Sequence, residues 1–309
     1  MIRSYTKDDA PMRKAQRIVR HLQQTGWYLP AGILLFLVFV YPVLRTLVLS
    51  FLHVNLESGF QPVFAGLSNF GRLVSDTRFY RSMQATLVFV SVSVLLEFVI
   101  GLALALALEQ LKKSGRFFRT LLLIPWTLPT AIIAILWMWF FNDQYGAVND
   151  LLLRLNVIEA PVAWLAQPDS AMAAIILADV WKAFPFVLIV LVAGIQAIPR
   201  EMYEALEIDG GTYWHKFRYV TLPHLLPFIF VAVIFRIIQA FAVFDLVFVL
   251  TGGGPGGKTE TISVYSYYTF LRYMDFGYGS ALVLVLAGVL ALIGWTLYTL
   301  LLRHYEPGR

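Results

Sequence analysis

The sequence contains no cysteine, which excludes disulfide bonds, thiolate metal sites and catalysis by a thiol. Histidine is also scarce, since there are five histidines and no H-x-x-x-H pair among them. No nucleophile–base arrangement or set of metal-ligating residues stands out elsewhere in the chain. These absences argue against a membrane-embedded enzyme, and we expect no cofactor and no metal in this chain.

Charged residues are few as well, at 14% of the 309 residues, whereas an average soluble domain has about 25%. Hydrophobic residues make up 59%, and the mean hydropathy is +0.71. So apolar a chain does not fit one water-soluble core, and its composition is that of a membrane protein. The net charge of +5 does not indicate nucleic-acid binding, because the basic residues lie in short loops between apolar segments.

Six segments are long and apolar enough to cross a bilayer, which takes about 20 residues for a hydrocarbon core of about 30 Å. The predicted fold is therefore an all-α membrane protein with six transmembrane helices. Prolines inside the third and fourth segments predict bends, because proline removes a backbone donor. The predicted spans are 27–51, 86–108, 117–141, 172–198, 224–250 and 278–302, with Pro125, Pro129 and Pro185 inside them.

The distribution of lysine and arginine predicts the orientation. Fifteen of the 24 basic residues lie in the N-terminal segment, the second and fourth loops and the C-terminal tail, and six lie in the other three loops. Both termini are therefore expected in the cytoplasm. We divide the chain into a cytoplasmic segment 1–26, a six-span domain 27–302 and a tail 303–309. Residues 10–22 predict either an amphipathic helix on the inner leaflet or a basic tail that only sets topology.

The fourth loop, residues 199–222, is too long for a tight turn and too apolar for a solvated linker. Its apolar residues predict a short amphipathic helix after Pro199 that ends at Gly210 and Gly211, since glycine readily adopts the left-handed conformation of a helix stop. Trp214, Phe217 and Val220 predict a second short helix that stops near Pro223, so the loop would form a helical knob on the cytoplasmic face.

This loop resembles the EAA loop of ABC importer permeases, in which Glu-Ala-Ala is followed by a glycine and then by Ile-x-Leu-Pro. Leu206 replaces the second alanine and Val220 replaces the isoleucine. The resemblance implies a coupling helix that docks on a separate ATPase. The residues at the family spacing are Glu204, Ala205, Gly210, Val220, Leu222 and Pro223, and those expected to couple to the ATPase are Glu204, Ala205, Leu206, Asp209, Gly210 and Gly211.

Further segments resemble the carbohydrate branch of these permeases. Residues 66–70, the Leu-Ile-Pro at 123–125, the Thr-Gly-Gly-Gly-Pro at 251–255 and the Gly-Tyr-Gly-Ser-Ala at 277–281 match its pattern. The resemblance implies a type I importer permease in the bacterial inner membrane, the first of two unlike permeases in maltose- or trehalose-type systems. It also implies a second permease, two ATPase copies that bind ATP and magnesium, and an extracytoplasmic solute-binding protein.

Residues 252–259, Gly-Gly-Gly-Pro-Gly-Gly-Lys-Thr, satisfy the Walker A pattern. A phosphate-binding loop needs a preceding strand, a following helix and a cytosolic domain. Here the pattern follows a predicted span on the extracytoplasmic side, and Pro255 removes a backbone donor. We therefore expect no nucleotide there, and ATP hydrolysis must come from another polypeptide.

Charged residues inside membrane segments are costly and usually face a cavity or a partner. Asp179, Lys182 and Phe186 are spaced to share one face of the fourth span, and Arg236 lies in the fifth. They predict either a substrate site, with Gln239 as a further donor, or an ion pair between Asp179 and Lys182 that only fixes helix packing. The other such residues are Glu97 in the second span and Asp245 in the fifth.

The resemblance implies that sugar-contacting positions of the maltose-type permease fall on Asp179, Lys182, Ala183, Phe186, Arg236 and Ala240. At two of these positions the family has a neutral amide and a hydroxyl, whereas this chain has Asp179 and Arg236. We expect import of a small saccharide by alternating access, driven by ATP. The alternatives are glycerol phosphate or a polyol as cargo in the same fold, and a secondary transporter driven by protons through Asp179 or Glu97.

Overall fold

The computed structural model describes residues 28–111 and 115–305. The predicted helix at 10–22, the basic residues at 112 and 113, and the last four residues lie outside these ranges. The first half contains a long helix, a two-stranded hairpin, a short helix and a second long helix. These elements are α1 (Tyr28–Ser50), β1 (Leu52–His53), β2 (Val63–Phe64), α2 (Ser68–Ser75) and α3 (Thr77–Gln110).

The rest of the described chain is also helical. In order, its helices are α4 (Gly115–Leu122), α5 (Ile124–Thr127), α6 (Thr130–Phe140), α7 (Ala147–Arg154), α8 (Pro168–Gln196), α9 (Arg200–Ile208), α10 (Tyr213–Phe241), α11 (Asp245–Leu250), α12 (Ile262–Tyr267) and α13 (Phe276–Tyr305).

Within the described ranges, five continuous helices have the length and hydropathy of membrane spans, namely α1, α3, α8, α10 and α13. The predicted first, second, fourth and sixth spans are confirmed, since each lies inside one of these helices or exceeds it by at most two residues at an end. The third predicted span is sharply bent, because residues 117–127 and 130–140 meet at 94°. Pro125 lies in the first turn of α5 and Pro129 precedes α6, so the predicted bend is present at these prolines.

The core is formed where α3, α8 and α10 pack against one another. Gly101 of α3 permits a close approach to α8, since a Cβ atom there would lie 2.9 Å from a side-chain atom of Val187. By contrast, α1 packs on α13 and exposes nearly all of its apolar side chains, as a helix that contacts lipid does. The spans therefore form a central group of three helices with further helices around it.

The predicted fifth span, 224–250, was wrong at both ends. Helix α10 begins at Tyr213 and runs through the proline at 223, where a helix end was predicted. The Leu222 N–H bonds to the carbonyl of Phe217, five residues earlier, so a wider π-type turn accommodates the proline. There is consequently no separate second helix in the loop.

At its other end, α10 stops at Phe241, and residues 242–244 separate it from α11. This break is stabilised from a distance. The hydroxyl of Ser263 donates to the carbonyl of Phe241 at 3.2 Å, and that of Thr261 donates to the carbonyl of Val243 at 3.4 Å. Asp245, predicted inside a span, therefore begins a separate short helix.

Candidate functional site

Four polar side chains from three helices meet inside the bundle. Arg236 of α10 donates from Nε and Nη2 to the two carboxylate oxygens of Glu97 on α3, at 2.5 and 2.8 Å. Its Nη2 also lies 3.1 Å from Asp179 Oδ2 on α8, and Nη1 lies 2.8 Å from Gln239 Oε1. Glu97 is fully buried, and Arg236 and Asp179 are 5% and 7% exposed. The guanidinium therefore links all three core helices.

The ion pair between Asp179 and Lys182, one of the two alternatives that the spacing left open, is not present. Asp179 pairs with Arg236, and among the described residues Lys182 has no carboxylate within 4.0 Å. One buried guanidinium would balance one carboxylate, but here the carboxyl groups of both Glu97 and Asp179 contact Arg236. Lys182, half-buried on the same face of α8, lies close enough to the network to line a cavity with three of its four members.

A polar cavity of about 380 Å³ opens beside the network. It is bounded by the bent third span, by α8, by α10 and by the break after α10, so the two irregular backbone segments both contribute to it. Its lining residues are Trp126, Thr130, Asp179, Lys182, Ala183, Arg236, Gln239, Ala242, Val243, Phe244 and Asp245. The structure thus brings together five of the seven residues that the sequence suggested for substrate.

The other two lie outside the lining. Ala240 is buried, at 2% exposure, and Phe186 packs against Phe235 with ring centroids 4.7 Å apart. The aromatic side chains in the lining are those of Trp126, whose ring lies 6.0 Å from the Phe186 ring, and Phe244. The position of Trp126 next to Pro125 was its sequence signal, but the sequence analysis placed this residue in the bent third span and not in the substrate site.

The coupling loop forms the predicted helix, α9, followed by a turn at Gly210. This glycine has φ +76°, in the left-handed region, and no atom lies within 4 Å of the point that a Cβ atom would occupy. Its backbone conformation, and not crowding, therefore requires glycine. Glu204 and Ala205 are exposed, and Ile208 is 86% exposed. Several apolar side chains of α9 therefore face outward.

Two contacts fasten this loop to the start of α10. The hydroxyls of Tyr203 and Thr221 lie 3.0 Å apart, and Lys216 forms an ion pair with Glu207. These two contacts join the short helix α9 to the long helix that follows it. An exposed apolar surface on a braced element is suited to docking with another protein.

At the far end of α3, a carboxylate is held by two tyrosines. Asp76 caps α3 by accepting from the N–H groups of Arg78 and Phe79, and it accepts from the hydroxyls of Tyr265, at 2.5 Å, and Tyr278. Burial alone would raise the pKa of Asp76, but these hydrogen bonds hold it below its ordinary value. Burial, with the adjacent carboxylate, raises the pKa of Tyr265 to about 12.

The described ranges contain no cluster of three histidine, aspartate or glutamate side chains placed to hold a metal ion. The polar cavity and the coupling loop are thus the two features with functional potential that the sequence analysis anticipated. The first can hold a polar solute inside the bundle, and the second can engage a partner outside it.

Comparison with known proteins agrees with this architecture. Residues 97–309 match the family described as binding-protein-dependent transport system inner membrane component. The trehalose/maltose transport system permease protein MalF of Thermococcus litoralis is 43% identical over 79% of this chain and 81% of its own. The sulfoquinovosyl glycerol transport system permease protein SmoG of Agrobacterium fabrum is 40% identical over 83% of each chain.

Among solved structures, a chain of a bacterial ABC transporter involved in the import of the acidic polysaccharide alginate superimposes with a TM-score of 0.82. It is 26% identical and covers 95% of this chain and all of its own length. The same kind of transporter in complex with an alginate pentasaccharide-bound periplasmic protein gives a TM-score of 0.81. This chain belongs to the family of binding-protein-dependent transport system inner membrane components, and is a multi-pass membrane permease of the ABC importer type.

Proposed function

We propose that this chain carries a small, uncharged saccharide or glycoside through the membrane, by alternating access, as one permease subunit of an ATP-driven importer. The observation that carries this proposal is the polar cavity between α8, α10 and the bent third span. Binding sites for small molecules combine an apolar surface with a few well-placed polar groups, and this cavity has both.

The cavity lining suits a sugar. A sugar has hydroxyls in several directions and apolar ring faces, so its site needs donors, acceptors and a flat apolar surface. Lys182, Arg236 and Gln239 supply donors, Asp179 and Asp245 supply acceptors, and the Trp126 ring supplies the surface. The names of the relatives, which include trehalose/maltose and sulfoquinovosyl glycerol systems, support the same class.

Charge balance favours a neutral cargo over glycerol phosphate. An anion site would need uncompensated cations, but the guanidinium of Arg236 already contacts two carboxylates. With Lys182 and Asp245 included, the group carries three acidic and two basic side chains. Lys182 is its one cation without a carboxylate partner in the described part of the chain, and one lysine in a lining that also holds Asp179 and Asp245 is a poor phosphate site.

The geometry of the network argues against a proton-driven transporter that works through Glu97. A proton carrier must exchange its proton with water, whereas Glu97 is fully buried, is absent from the cavity lining, and accepts two hydrogen bonds from Arg236. The braced coupling loop has no purpose in such a transporter. It supports a partner ATPase, two copies of which would bind ATP and magnesium, with the termini of this chain on the same, cytoplasmic side.

The remaining partners follow from the family and the neighbours. The family description names a binding protein, and a solved neighbour carries a sugar-bound periplasmic protein. We infer a second, similar permease, as the resemblance to maltose- and trehalose-type importers implies. The complex would then consist of two permeases, two ATPases and an extracytoplasmic solute-binding protein.

The test compares matched aromatic substitutions in the reconstituted importer. Trp126→Leu should reduce saccharide uptake, and Phe186→Leu should leave it within about twofold, because only the first ring lines the cavity. Asp179→Ala should reduce uptake about 5- to 150-fold, since a lost buried hydrogen bond costs about 1–3 kcal/mol. Asp150→Ala, on the exposed face of α7, is the control.

The complex must be recovered in normal yield for each variant, which gel filtration measures. Equal uptake by the two aromatic variants would contradict the placement of the sugar beside Trp126. Failure of Asp179→Ala to assemble, together with unimpaired uptake by Trp126→Leu, would show that the polar network only fixes helix packing.

A further inference from the structure

A second polar cavity, of about 370 Å³, lies on the side of the molecule away from the coupling loop. It is formed by the first turns of α3, by the glycine-rich segment after α11, and by the residues that follow α12. Its lining contains three arginines and one acidic residue, Arg78, Arg81, Arg272 and Glu260, together with glycines and two tyrosines. Nothing in the transport cavity accounts for this concentration of arginine.

One arginine is already neutralised. Arg78 donates from Nε and Nη2 to the two oxygens of Glu260, at 2.8 and 2.7 Å, and Glu260 is buried. This pair fixes the glycine-rich segment to α3. Arg81 and Arg272 are exposed and have no carboxylate within 4.0 Å in the described ranges, so the lining carries a net charge of +2.

The glycine-rich segment adds free backbone donors. Gly256 and Gly257 both have positive φ, +61° and +76°, and both line the cavity. Their N–H groups have no acceptor in the part of the chain that the structure describes. Successive backbone N–H groups in such turns form concave sites for anions. Residues 252–259, which satisfy the Walker A pattern, follow helix α11 and not a strand. They are therefore not a phosphate-binding loop of that type.

We propose that this cavity binds a carboxylate, contributed by an acidic side chain of the extracytoplasmic solute-binding protein when it docks. The proposal rests on the proposed function, which supplies the binding protein and places this face outside the membrane. Two guanidiniums and two free N–H groups match the oxygens of one carboxylate. A protein side chain is favoured over an acidic sugar, because the charged side chains that line the transport cavity are two acidic and two basic and so offer no net positive charge to an anionic cargo, and because Arg81 and Arg272 are exposed.

The test measures the affinity of the solute-binding protein for the complete importer in lipid nanodiscs. Arg81→Ala combined with Arg272→Ala should weaken binding about tenfold, since hydrogen bonds to charged groups are lost. Arg154→Ala, an exposed arginine of α7 that does not line the cavity, should leave the affinity unchanged. Sulfate should weaken wild-type binding more than chloride at equal ionic strength, because it competes for the oxyanion site, and the double variant should not distinguish the two salts.

Wild-type affinity in the double variant, or equal effects of sulfate and chloride on the wild type, would overturn the docking site and leave the proposed function intact. Arg81→Glu should abolish docking, and an acidic-to-lysine change on the binding protein that restores it would identify the matching carboxylate. If the binding protein does not stimulate uptake by the wild-type importer at all, the proposed function fails, and this site fails with it.

Discussion

Replacing Glu97 by glutamine tests the polar network that joins the three core helices. Glutamine keeps the shape of the side chain and one carbonyl acceptor, but it removes the charge that faces two nitrogens of Arg236. Asp179 and Gln239 remain beside the guanidinium, so Arg236 keeps part of its compensation. The variant therefore loses one charged hydrogen bond and weakens the other, without emptying the site.

The expected cost is about 3 kcal/mol. Breaking a buried ion pair by removing one partner costs about 3–5 kcal/mol, and the lower end applies because Asp179 remains. Arg236→Gln should cost more, since it leaves two buried carboxylates without their cation. The combination of Glu97→Gln with Arg236→Gln should be less destabilised than Arg236→Gln alone, because only one unpaired carboxylate is left.

The measurement is reversible unfolding of the full chain in mixed detergent micelles, which reports the free energy of unfolding. Glu109→Gln, the same change at the exposed end of α3, is the control and should stay within about 0.5 kcal/mol of the wild type. Interhelical hydrogen bonds in membrane proteins average about 0.6 kcal/mol. A loss no larger than that for Glu97→Gln, or additive costs in the double variant, would refute the account of the network.

Three further predictions concern other parts of the molecule. Gly210→Val should weaken ATPase association at least tenfold in a pull-down titration, because φ there is +76°; unchanged association would contradict the coupling role. The lowered pKa of Asp76 means that its contribution to stability is present above its ordinary pKa of about 3.9 and is lost as the pH falls further. The difference in melting temperature between wild type and Asp76→Asn should therefore shrink below about pH 4, and a difference independent of pH would contradict this. A cysteine at Thr212 should react with impermeant reagents only from the cytoplasm and one at Gln167 only from outside, which labelling of the otherwise cysteine-free chain checks; reversed labelling would overturn the orientation.

The long helices were predictable because hydropathy and length alone define a membrane span. Four of the six predicted spans correspond to continuous helices, with ends that differ by no more than two residues where the prediction is longer. The stop of α9 at Gly210 was predictable for an equally local reason, since glycine permits a conformation that other residues resist. Features set by a few neighbouring residues can be read from the sequence.

The break after α10 was not predictable, because residues 242–244 are as apolar as the span around them. It persists because the hydroxyls of Thr261 and Ser263, about twenty residues later, satisfy the carbonyls that the break frees. The partner of Arg236 was missed for the same reason. Glu97 lies 139 residues away in the chain, and helical spacing instead suggested the pairing of Asp179 with Lys182.

The contribution of Trp126 to the cavity was also beyond local reasoning. Phe186 shares a face of α8 with Asp179 and Lys182, so spacing favours it. The 94° bend in the third span brings Trp126 in front of it, and that angle depends on how two helices pack and not only on the prolines between them. The polar members of the candidate site could therefore be anticipated, while the side of the cavity that the bent third span forms with Trp126 could not.

The central claim is that this chain moves a saccharide with energy from ATP, and uptake into proteoliposomes tests it most directly. The vesicles contain this chain with its partner permease and ATPase, and the solute-binding protein and a radiolabelled neutral disaccharide are added outside. The account predicts accumulation that requires ATP inside and the binding protein outside and that persists when a protonophore collapses the proton gradient. Accumulation driven by an imposed proton gradient without ATP would contradict it.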